Sequence, residues 1–324
     1  MPDLNMHPAS SSVDAVDRAP ASSRHLRLLV YGAGVIGTIF AARMHEAGHD
    51  VSLLARGERL TALREHGVLL AEGDSPDIRQ VPVPVIESPA GRYDLIAVFV
   101  RTHQVDAVLE SIAGLDCDVL FALNWAAGPE PLAAAIGRER VLLGYPAVAG
   151  TMDGEVVRYR PSSLLTRLVR MPIGEPDGRT TPRLERIVQS FQSAGINAKA
   201  EPRMDAWLKT HAAFEVPLGR AVRAAGGPAA LAGDPDAIRN MIRLMRQNLE
   251  GMPARPVPRG FDALRTVPER VLVAVFRRFL HSSAAAPLGT ASPAVSAELD
   301  RMAEQVRALA SARQPTFVVT HRRR

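Results

Sequence analysis

The feature that most constrains the fold of this chain is the glycine pattern Gly32-Ala33-Gly34-Val35-Ile36-Gly37. An apolar run typical of a strand precedes it at residues 26–31, and apolar residues at helical spacing follow it. A G-x-G-x-x-G pattern alone is weak evidence, but between a strand and a helix it is the fingerprint of a dinucleotide-binding turn. Gly32 permits the tight turn, Gly34 lets the backbone approach a pyrophosphate, and Gly37 lets helix and strand pack closely. A purely structural turn is the alternative interpretation.

The residues after the second predicted strand, at 50–55, indicate which dinucleotide is bound. Units that bind NAD usually carry Asp or Glu at this strand end, where the carboxylate accepts a hydrogen bond from the ribose 2′-hydroxyl. Here Leu54 and Ala55 occupy the strand end, and Arg56 follows. A guanidinium suits a 2′-phosphate through charge-assisted, bidentate contacts. The pattern therefore favours NADP(H) as the cofactor, and a solvated surface arginine is the alternative.

The order of patterns along the chain predicts an α/β fold with two domains. Strands and helices alternate up to about residue 200, which indicates an N-terminal Rossmann-type, doubly wound sheet. Beyond residue 203 the patterns are helical, beginning with a helix over residues 204–216, and indicate a mainly α-helical C-terminal domain. We expect a disordered tail at 1–24, an NADP-binding domain at 25–200, a helical substrate or dimerisation domain at 201–313, and a basic tail at 314–324.

Composition excludes several classes of protein. No uninterrupted apolar run approaches the ~18 residues that a bilayer span needs. The first 24 residues lack the apolar segment of a secretory signal, and the single Cys117 cannot form an internal disulfide, so we expect a cytoplasmic protein. Cys117 itself is expected to be a buried thiol at a strand start. The net charge of +5 comes with only 5% aromatic residues and arginines spread along the chain, which argues against a nucleic-acid partner.

Together these residues resemble the 2-dehydropantoate 2-reductase (ketopantoate reductase) family. The resemblance runs through the glycine pattern, Glu46-Ala47-Gly48-His49-Asp50-Val51 and Ala55-Arg56-Gly57, and continues at Val100-Arg101-Thr102-His103-Gln104-Val105, Asn124 and Trp207-Leu208-Lys209. It is specific over roughly residues 26–160 and patchy thereafter. The resemblance implies an NADPH-dependent oxidoreductase that reduces a small anionic 2-keto acid or related carbonyl compound between a Rossmann domain and a helical domain. A cytoplasmic enzyme, with a homodimer as one possible assembly, is the corresponding expectation.

Lys209 matches the family's catalytic lysine, the general acid that protonates the developing oxyanion. Its chemistry fits, because an ammonium within hydrogen-bond reach can stabilise and protonate an alkoxide. Only two of the 39 basic residues are lysines, Lys199 and Lys209, and arginine is a poor general acid because its pKa exceeds ~12. A surface lysine whose stem lies along a helix is the alternative.

Other family positions are matched less evenly. By the resemblance, Asn124 contacts cofactor and substrate, although Trp125 follows it where the family usually has glycine. Arg101 stands where many members have lysine, so cofactor or a substrate carboxylate is its expected partner.

The pattern departs furthest from the family after Lys209. The family has asparagines four and eight residues after the lysine, and this chain has Ala213 and Pro217 at those positions. Glu298 matches the substrate-binding glutamate, and Ser283 the serine that meets the substrate carboxylate if three extra residues are allowed. Helix capping by residues near Glu298 is an equal alternative. These departures also suggest a relative with a changed substrate, or an NADP(H)-binding sensor or biosynthetic accessory protein without turnover.

His211 and Glu215 form an i,i+4 pair on the helix of Lys209, a spacing that permits direct contact. They could replace the missing asparagines as polar groups, and a solvated or hydrogen-bonded pair is the alternative. The histidines are scattered and without a cysteine partner, so no metal site is expected.

Overall fold

The computed structural model describes residues 25–160, 170–289 and 292–311, without the side chain of Ser283. The tails expected at 1–24 and 314–324 lie outside these residues. The described strands are β1 (Arg27–Tyr31), β2 (Asp50–Leu54), β3 (Val68–Glu72), β4 (Arg79–Val81), β5 (Val85–Ile86), β6 (Leu95–Val98), β7 (Asp118–Ala122), β8 (Val141–Gly144), β9 (Gly150–Asp153), β10 (Val156–Tyr159), β11 (Met171–Gly174) and β12 (Ala198–Ala200).

Eight of these strands form one sheet in the order β12-β11-β8-β7-β6-β1-β2-β5. The pairs from β8 across to β5 are parallel, and β11 is antiparallel to β8. The central strands are fully buried, since helices cover both faces of a doubly wound sheet. The predicted fold class is confirmed. The chain order reverses between β1 and β6, which is where such sheets open a crevice at their carboxyl ends.

The described α-helices are α1 (Val35–Glu46), α2 (Gly57–His66), α3 (Val105–Ile112), α4 (Glu130–Ile136), α5 (Pro182–Ser193), α6 (Met204–Ala225), α7 (Pro228–Ala232), α8 (Pro235–Glu250), α9 (Ala263–Thr266), α10 (Glu269–Leu280) and α11 (Pro293–Ser311). One core joins the sheet to α1, α2 and α5, and a second joins its other face to α3, α4 and the start of α6. Strands end at Ala200 and the helical region begins at Met204, so we propose that the two domains divide between these residues.

The loop between β1 and α1 shows why two of its glycines are needed. Gly32 has φ of +111°, a conformation that side-chain-bearing residues rarely adopt. A Cβ on Gly37 would collide with the carbonyl oxygen of Gly32, so α1 could not pack on the loop with any larger residue there. The sequence interpretation of these two positions agrees with the geometry.

A second sheet of four strands, in the order β4-β3-β10-β9, stands beside the first and was not expected from the sequence. Its strands β3 and β10 are parallel although more than 80 residues separate them, and local patterns carry no information on such pairing. Through Gly150 and the backbone of Glu155, this sheet lies against the start of α1 and against α2.

Helix α6 continues through Pro217, so the predicted end near residue 216 is wrong. Proline lacks the N–H that would bond the carbonyl of Ala213, four residues earlier. The side-chain amide of Asn248 on α8 donates to that carbonyl at 3.2 Å. The neighbouring helix thus satisfies the group that the proline leaves free, and tertiary packing overrides the local signal.

Polar contacts and one small core tie the helical region to the sheet. Ala126, in the loop after β7, packs against α6 and α11, and its N–H donates to the side chain of Gln305 at 2.8 Å. Arg301 on α11 forms an ion pair with Asp106 on α3 at 3.4 Å. Helix α11 therefore closes over the carboxyl end of the sheet.

Two further expectations concern single features. Cys117 is half-buried directly before β7, and burial raises the pKa of its thiol, which makes it a poor nucleophile.

Among the helices that the structure describes, none has both the length and the apolar character that a membrane crossing requires.

Candidate functional site

A cavity of about 950 Å³ lies at the carboxyl ends of the parallel strands, where the chain order reverses. Its walls come from the β1–α1 loop, the end of β2, the residues after β6, β7 and β8, and one residue of α11. Most of the residues expected to form the site line it: Gly32, Ala33, Gly34, Val35, Ile36, Arg56, Arg101, Asn124 and Glu298. The fold therefore brings together groups that are up to 266 residues apart in the sequence.

The glycine loop forms one end of this cavity. Helix α1 begins at Val35, and its first turn has no side-chain cap, so its N–H groups are available to an anion. A Cβ placed on Gly34 would meet nothing within 4 Å, so the space above this residue is open. Backbone donors and open space together fit a pyrophosphate. Gly37 does not line the cavity among the described residues, because it packs against Gly32.

Arg56 lies at the carboxyl end of β2, directly before α2. Its Nη2 donates to the hydroxyl of Tyr31 at 2.6 Å, and its guanidinium lies 5.7 Å from the centre of that ring. Because its hydrogen bond goes to a neutral hydroxyl, its positive charge remains available to an anion in the cavity.

Arg59, which the sequence analysis did not single out, lines the same end. Its Nε donates to the carbonyl of Ala33 and its Nη1 to the carbonyl of Glu155, both at 3.2 Å. Its Nη2 is buried without a hydrogen-bond partner, and burial lowers the pKa of the guanidinium. A buried cationic donor without an acceptor is costly, so this atom suits an anionic ligand oxygen. Its position three residues after Arg56, on one helix face, is the signal that could have identified it.

The opposite end, which we call the substrate end, is formed by Asn124, Tyr145 and Glu298. Arg101 donates to Oε2 of Glu298 at 2.6 Å, and the amide of Asn124 lies 3.5 Å from Oε1 of Glu298. The side chain of Glu298 is 14% exposed and that of Arg101 is 41% exposed, so the ion pair is open to solvent on the side of the arginine. Arg101, expected to contact cofactor or substrate, is thus paired with the other predicted substrate residue.

Trp125 follows Asn124 but does not enter the cavity. It is 3% exposed, packs in the core beside α4, and donates from its indole nitrogen to the carbonyl of Gly128 at 2.6 Å. Where the family usually has glycine, Trp125 therefore packs beneath the loop after β7 and does not line the cavity.

Lys209 lies outside the cavity lining that the described residues define. It is 9% exposed, and its Nζ donates to Oδ2 of Asp205, one helical turn earlier, at 2.6 Å. The side chain of Ser283, the other predicted substrate contact on this side, lies outside the described residues.

Behind the substrate end, three rings stack between β8 and α6. The His211 ring lies 4.3 Å from that of Tyr145 and stacks on Trp207 at 5.2 Å. Nδ1 of His211 is 3.0 Å from Oε2 of Glu215, and neither atom has a well-aligned hydrogen bond. Burial raises the pKa of Tyr145, and the charges of Glu215 and Glu298 raise it further. Tyr145 was missed because it follows a strand without any polar motif.

The described residues contain no group of three or more potential metal ligands.

A family model described as ketopantoate reductase PanE/ApbA matches residues 28–164, the part of the chain that carries the glycine loop and Asn124. The resemblance seen in the sequence is confirmed over this region.

Curated relatives match the chain at low identity. A 2-dehydropantoate 2-reductase of Mesorhizobium japonicum is 27% identical over 212 residues, covering 57% of this chain and 63% of the relative. One of Archaeoglobus fulgidus is 27% identical over 176 residues, covering 54% and 55%. The chain thus spans less than two thirds of the length of these relatives.

Solved structures match nearly the whole fold. A 2-dehydropantoate 2-reductase from Geobacter metallireducens aligns with a TM-score of 0.60 and 19% identity, over 88% of this chain and 97% of that one. A D-mandelate dehydrogenase, solved with NADH and anilino(oxo)acetate, aligns with a TM-score of 0.63 and 15% identity, over 87% and 99%. At these identities the likeness shows a shared fold.

Proposed function

Because the chain carries a domain of the ketopantoate reductase family at residues 28–164, we propose that it is an NADPH-dependent reductase of a small carbonyl compound. The observation that carries this proposal is the charge arrangement of a single cavity. Its glycine-loop end presents backbone donors and the two arginines Arg56 and Arg59, and its other end presents Asn124, Tyr145 and Glu298. The first set suits a phosphorylated dinucleotide, and the second suits a small polar molecule.

The cofactor end is assigned to NADP(H) rather than NAD(H). The N–H groups at the start of α1 and the open space over Gly34 would receive the pyrophosphate. Arg56 and the unpartnered nitrogen of Arg59 would hold the 2′-phosphate, for which no carboxylate competes at the end of β2. NADPH, when bound, supplies the hydride for reduction of the carbonyl carbon.

The chain's own residues orient the substrate and supply the proton. Asn124 donates a hydrogen bond from its amide, and Glu298 accepts one, so the pair can fix a molecule that has both a carbonyl and a donor group. Lys209 is the proposed proton donor, and it must leave Asp205 to reach the carbonyl oxygen. Helix α11 contributes Glu298 to this end of the cavity, and the side chain of that glutamate is 14% exposed.

A second function is favoured by one observation, the engagement of both Lys209 and Arg101 by carboxylates. An NADP(H)-binding sensor or biosynthetic accessory protein would need the cofactor end and no free proton donor. The two proposals differ in turnover alone, because both require NADPH binding.

The test is consumption of NADPH with a panel of small ketones, keto acids, keto amides and amino ketones. A reductase oxidises NADPH at a rate that depends on one class of carbonyl compound. Tight binding of NADPH with no oxidation by any member of the panel would favour the sensor or accessory protein.

A further inference from the structure

The register of the sheet places Tyr145 beside the residues that form the substrate end. Ala122 of β7 pairs with Gly144 of β8. Tyr145 therefore leaves β8 at the level at which the chain leaves β7 towards Asn124, and both side chains line the cavity. The backbone of Tyr145 is held there, because its N–H donates to the carbonyl of Pro172 on β11 at 3.1 Å.

The ring of Tyr145 is fixed by two rings of α6. Its centre lies 4.8 Å from that of Trp207 and 4.3 Å from that of His211. Trp207 and His211 are one helical turn apart and stack with an angle of only 6° between their planes. Tyr145 therefore rests against a preformed aromatic surface, which limits the directions in which its hydroxyl can point.

The hydroxyl of Tyr145 is accessible and has no partner among the residues that the structure describes. No described group forms a hydrogen bond with it, yet it is not one of the side-chain atoms that are buried without a partner. The charge of Glu298, which lines the cavity, acts on this hydroxyl, so the two groups are near one another. Because burial raises the pKa of Tyr145, the hydroxyl keeps its proton and can donate.

A fixed ring with a free hydroxyl is a donor prepared for a ligand. Tyrosine hydroxyls in protein interiors usually have a hydrogen-bond partner, and here the partner has to come from the cavity. The other polar side chains at this end are Asn124 and Glu298, whereas Arg56 and Arg59 stand at the glycine-loop end. The ligand that meets this hydroxyl is therefore the small molecule rather than the phosphates of the cofactor.

We propose that Tyr145 is a further substrate-binding residue, whose hydroxyl donates a hydrogen bond to an oxygen of the bound carbonyl compound. This inference rests on the proposed reductase function. Tyr145 orients the substrate, and delivery of the proton remains with Lys209. Trp207 and His211 are positioning residues, because they hold the ring of Tyr145 and are not part of the cavity lining that the described residues define.

Tyr145→Phe tests the hydroxyl alone, because phenylalanine keeps the ring and its stack on α6. The probe is the carbonyl compound of the panel that the wild type reduces with the highest kcat/KM. We expect kcat/KM for this compound to fall about fivefold or more, since a substrate oxygen loses its donor. The NADPH dissociation constant and the unfolding temperature should stay at their wild-type values.

Two further variants serve as control and as a test of positioning. Tyr93→Phe removes a hydroxyl that donates to the carbonyl of Ala90 in the loop before β6, and it should leave kcat/KM unchanged. Trp207→Leu should lower kcat/KM in the wild type and much less in Tyr145→Phe, because Trp207 acts through the hydroxyl. Equal losses in both backgrounds would contradict the positioning role.

Two results would overturn the inference and leave the reductase function intact. A kcat/KM of Tyr145→Phe within about twofold of the wild type would direct the hydroxyl away from the substrate, towards a second cavity of about 540 Å³ that Tyr145 also borders. A loss of NADPH affinity in Tyr145→Phe would place the hydroxyl at the cofactor. Absence of NADPH oxidation by the wild type with every compound of the panel would instead overturn the proposed function, and the inference with it.

Discussion

Nζ of Lys209 and Oδ2 of Asp205 are 2.6 Å apart on consecutive turns of α6. The lysine side chain is 11% exposed and the aspartate side chain 36%, so the pair lies at the edge of the interior rather than in the solvent. Because an ammonium at this depth needs a partner, the contact holds the proposed proton donor in a defined position away from the cavity lining. A catalytic Lys209 must exchange Asp205 for the carbonyl oxygen of the substrate.

The first prediction concerns this lysine. Lys209→Ala should lower turnover by about 10²–10⁴-fold with little change in NADPH affinity, because a general acid acts in the transition state. Lys209→Arg should restore charge but little rate, since guanidinium releases a proton poorly. Steady-state rates and NADPH titrations of both variants give the answer. Full activity of Lys209→Ala would transfer the acid role to another group, with His211 the next candidate.

The second prediction concerns the partner of that lysine. Asp205→Asn should leave turnover equal to or above the wild-type value, because it releases the ammonium without removing it. The measurement is kcat with a saturating substrate, beside the unfolding temperature. A loss of turnover as large as that of Lys209→Ala, at normal stability, would show that the carboxylate itself takes part in the reaction.

The third prediction concerns the two arginines at the cofactor end. Arg56→Ala and Arg59→Ala should each weaken NADPH binding by about tenfold or more, as loss of a charge-assisted contact costs roughly 1.5–3 kcal/mol. NADH binding should change much less. Arg64→Ala, an exposed arginine on the same helix α2, is the matched control and should change neither. Equal losses for NADPH and NADH in Arg59→Ala would place its nitrogen at the pyrophosphate instead.

The fourth prediction separates two glycines of one loop. Gly34→Val should abolish dinucleotide binding while the protein stays folded, because the space over Gly34 is open in the fold and only a ligand would fill it. Gly37→Val should unfold or strongly destabilise the protein, since its side chain would collide with the carbonyl of Gly32. Circular dichroism and NADPH titration distinguish the two. Unchanged NADPH affinity in Gly34→Val would place the cofactor elsewhere.

The fifth prediction concerns Glu298. Glu298→Ala should raise KM for the substrate more than it lowers kcat, because the residue is proposed to bind substrate rather than transfer a proton. Asp300→Ala, an exposed residue on the same helix with its own arginine partner, is the control and should leave both constants unchanged. A fall in kcat alone would argue for a direct role in the chemistry.

Much of the fold could be predicted because its signals are local. The glycine loop, the buried strands and the amphipathic helices each show their pattern within a dozen residues. Strands β1 and β2 begin and end within one residue of the bounds that the sequence predicts, 26–31 and 50–55. The four-stranded sheet could not be predicted, since the pairing of β3 with β10 joins distant segments. The passage of α6 through Pro217 depends on Asn248, which lies on another helix.

Some residues of the candidate site could likewise be predicted from the sequence, and others could not. Gly34, Arg56 and Asn124 follow strands whose carboxyl ends meet, so their convergence in one cavity could be expected from topology. The pairing of Arg101 with Glu298 and the position of Tyr145 depend on how α11 and α6 lie against the sheet.

The most direct test of the central claim, that this cavity is an NADP(H) site, is a comparison of NADPH and NADH dissociation constants for the intact protein. Quenching of tryptophan fluorescence on titration with each nucleotide provides both values. We expect NADPH to bind at least about tenfold more tightly, because the 2′-phosphate gains the charges of Arg56 and Arg59. Equal dissociation constants, or binding of neither nucleotide, would contradict the claim.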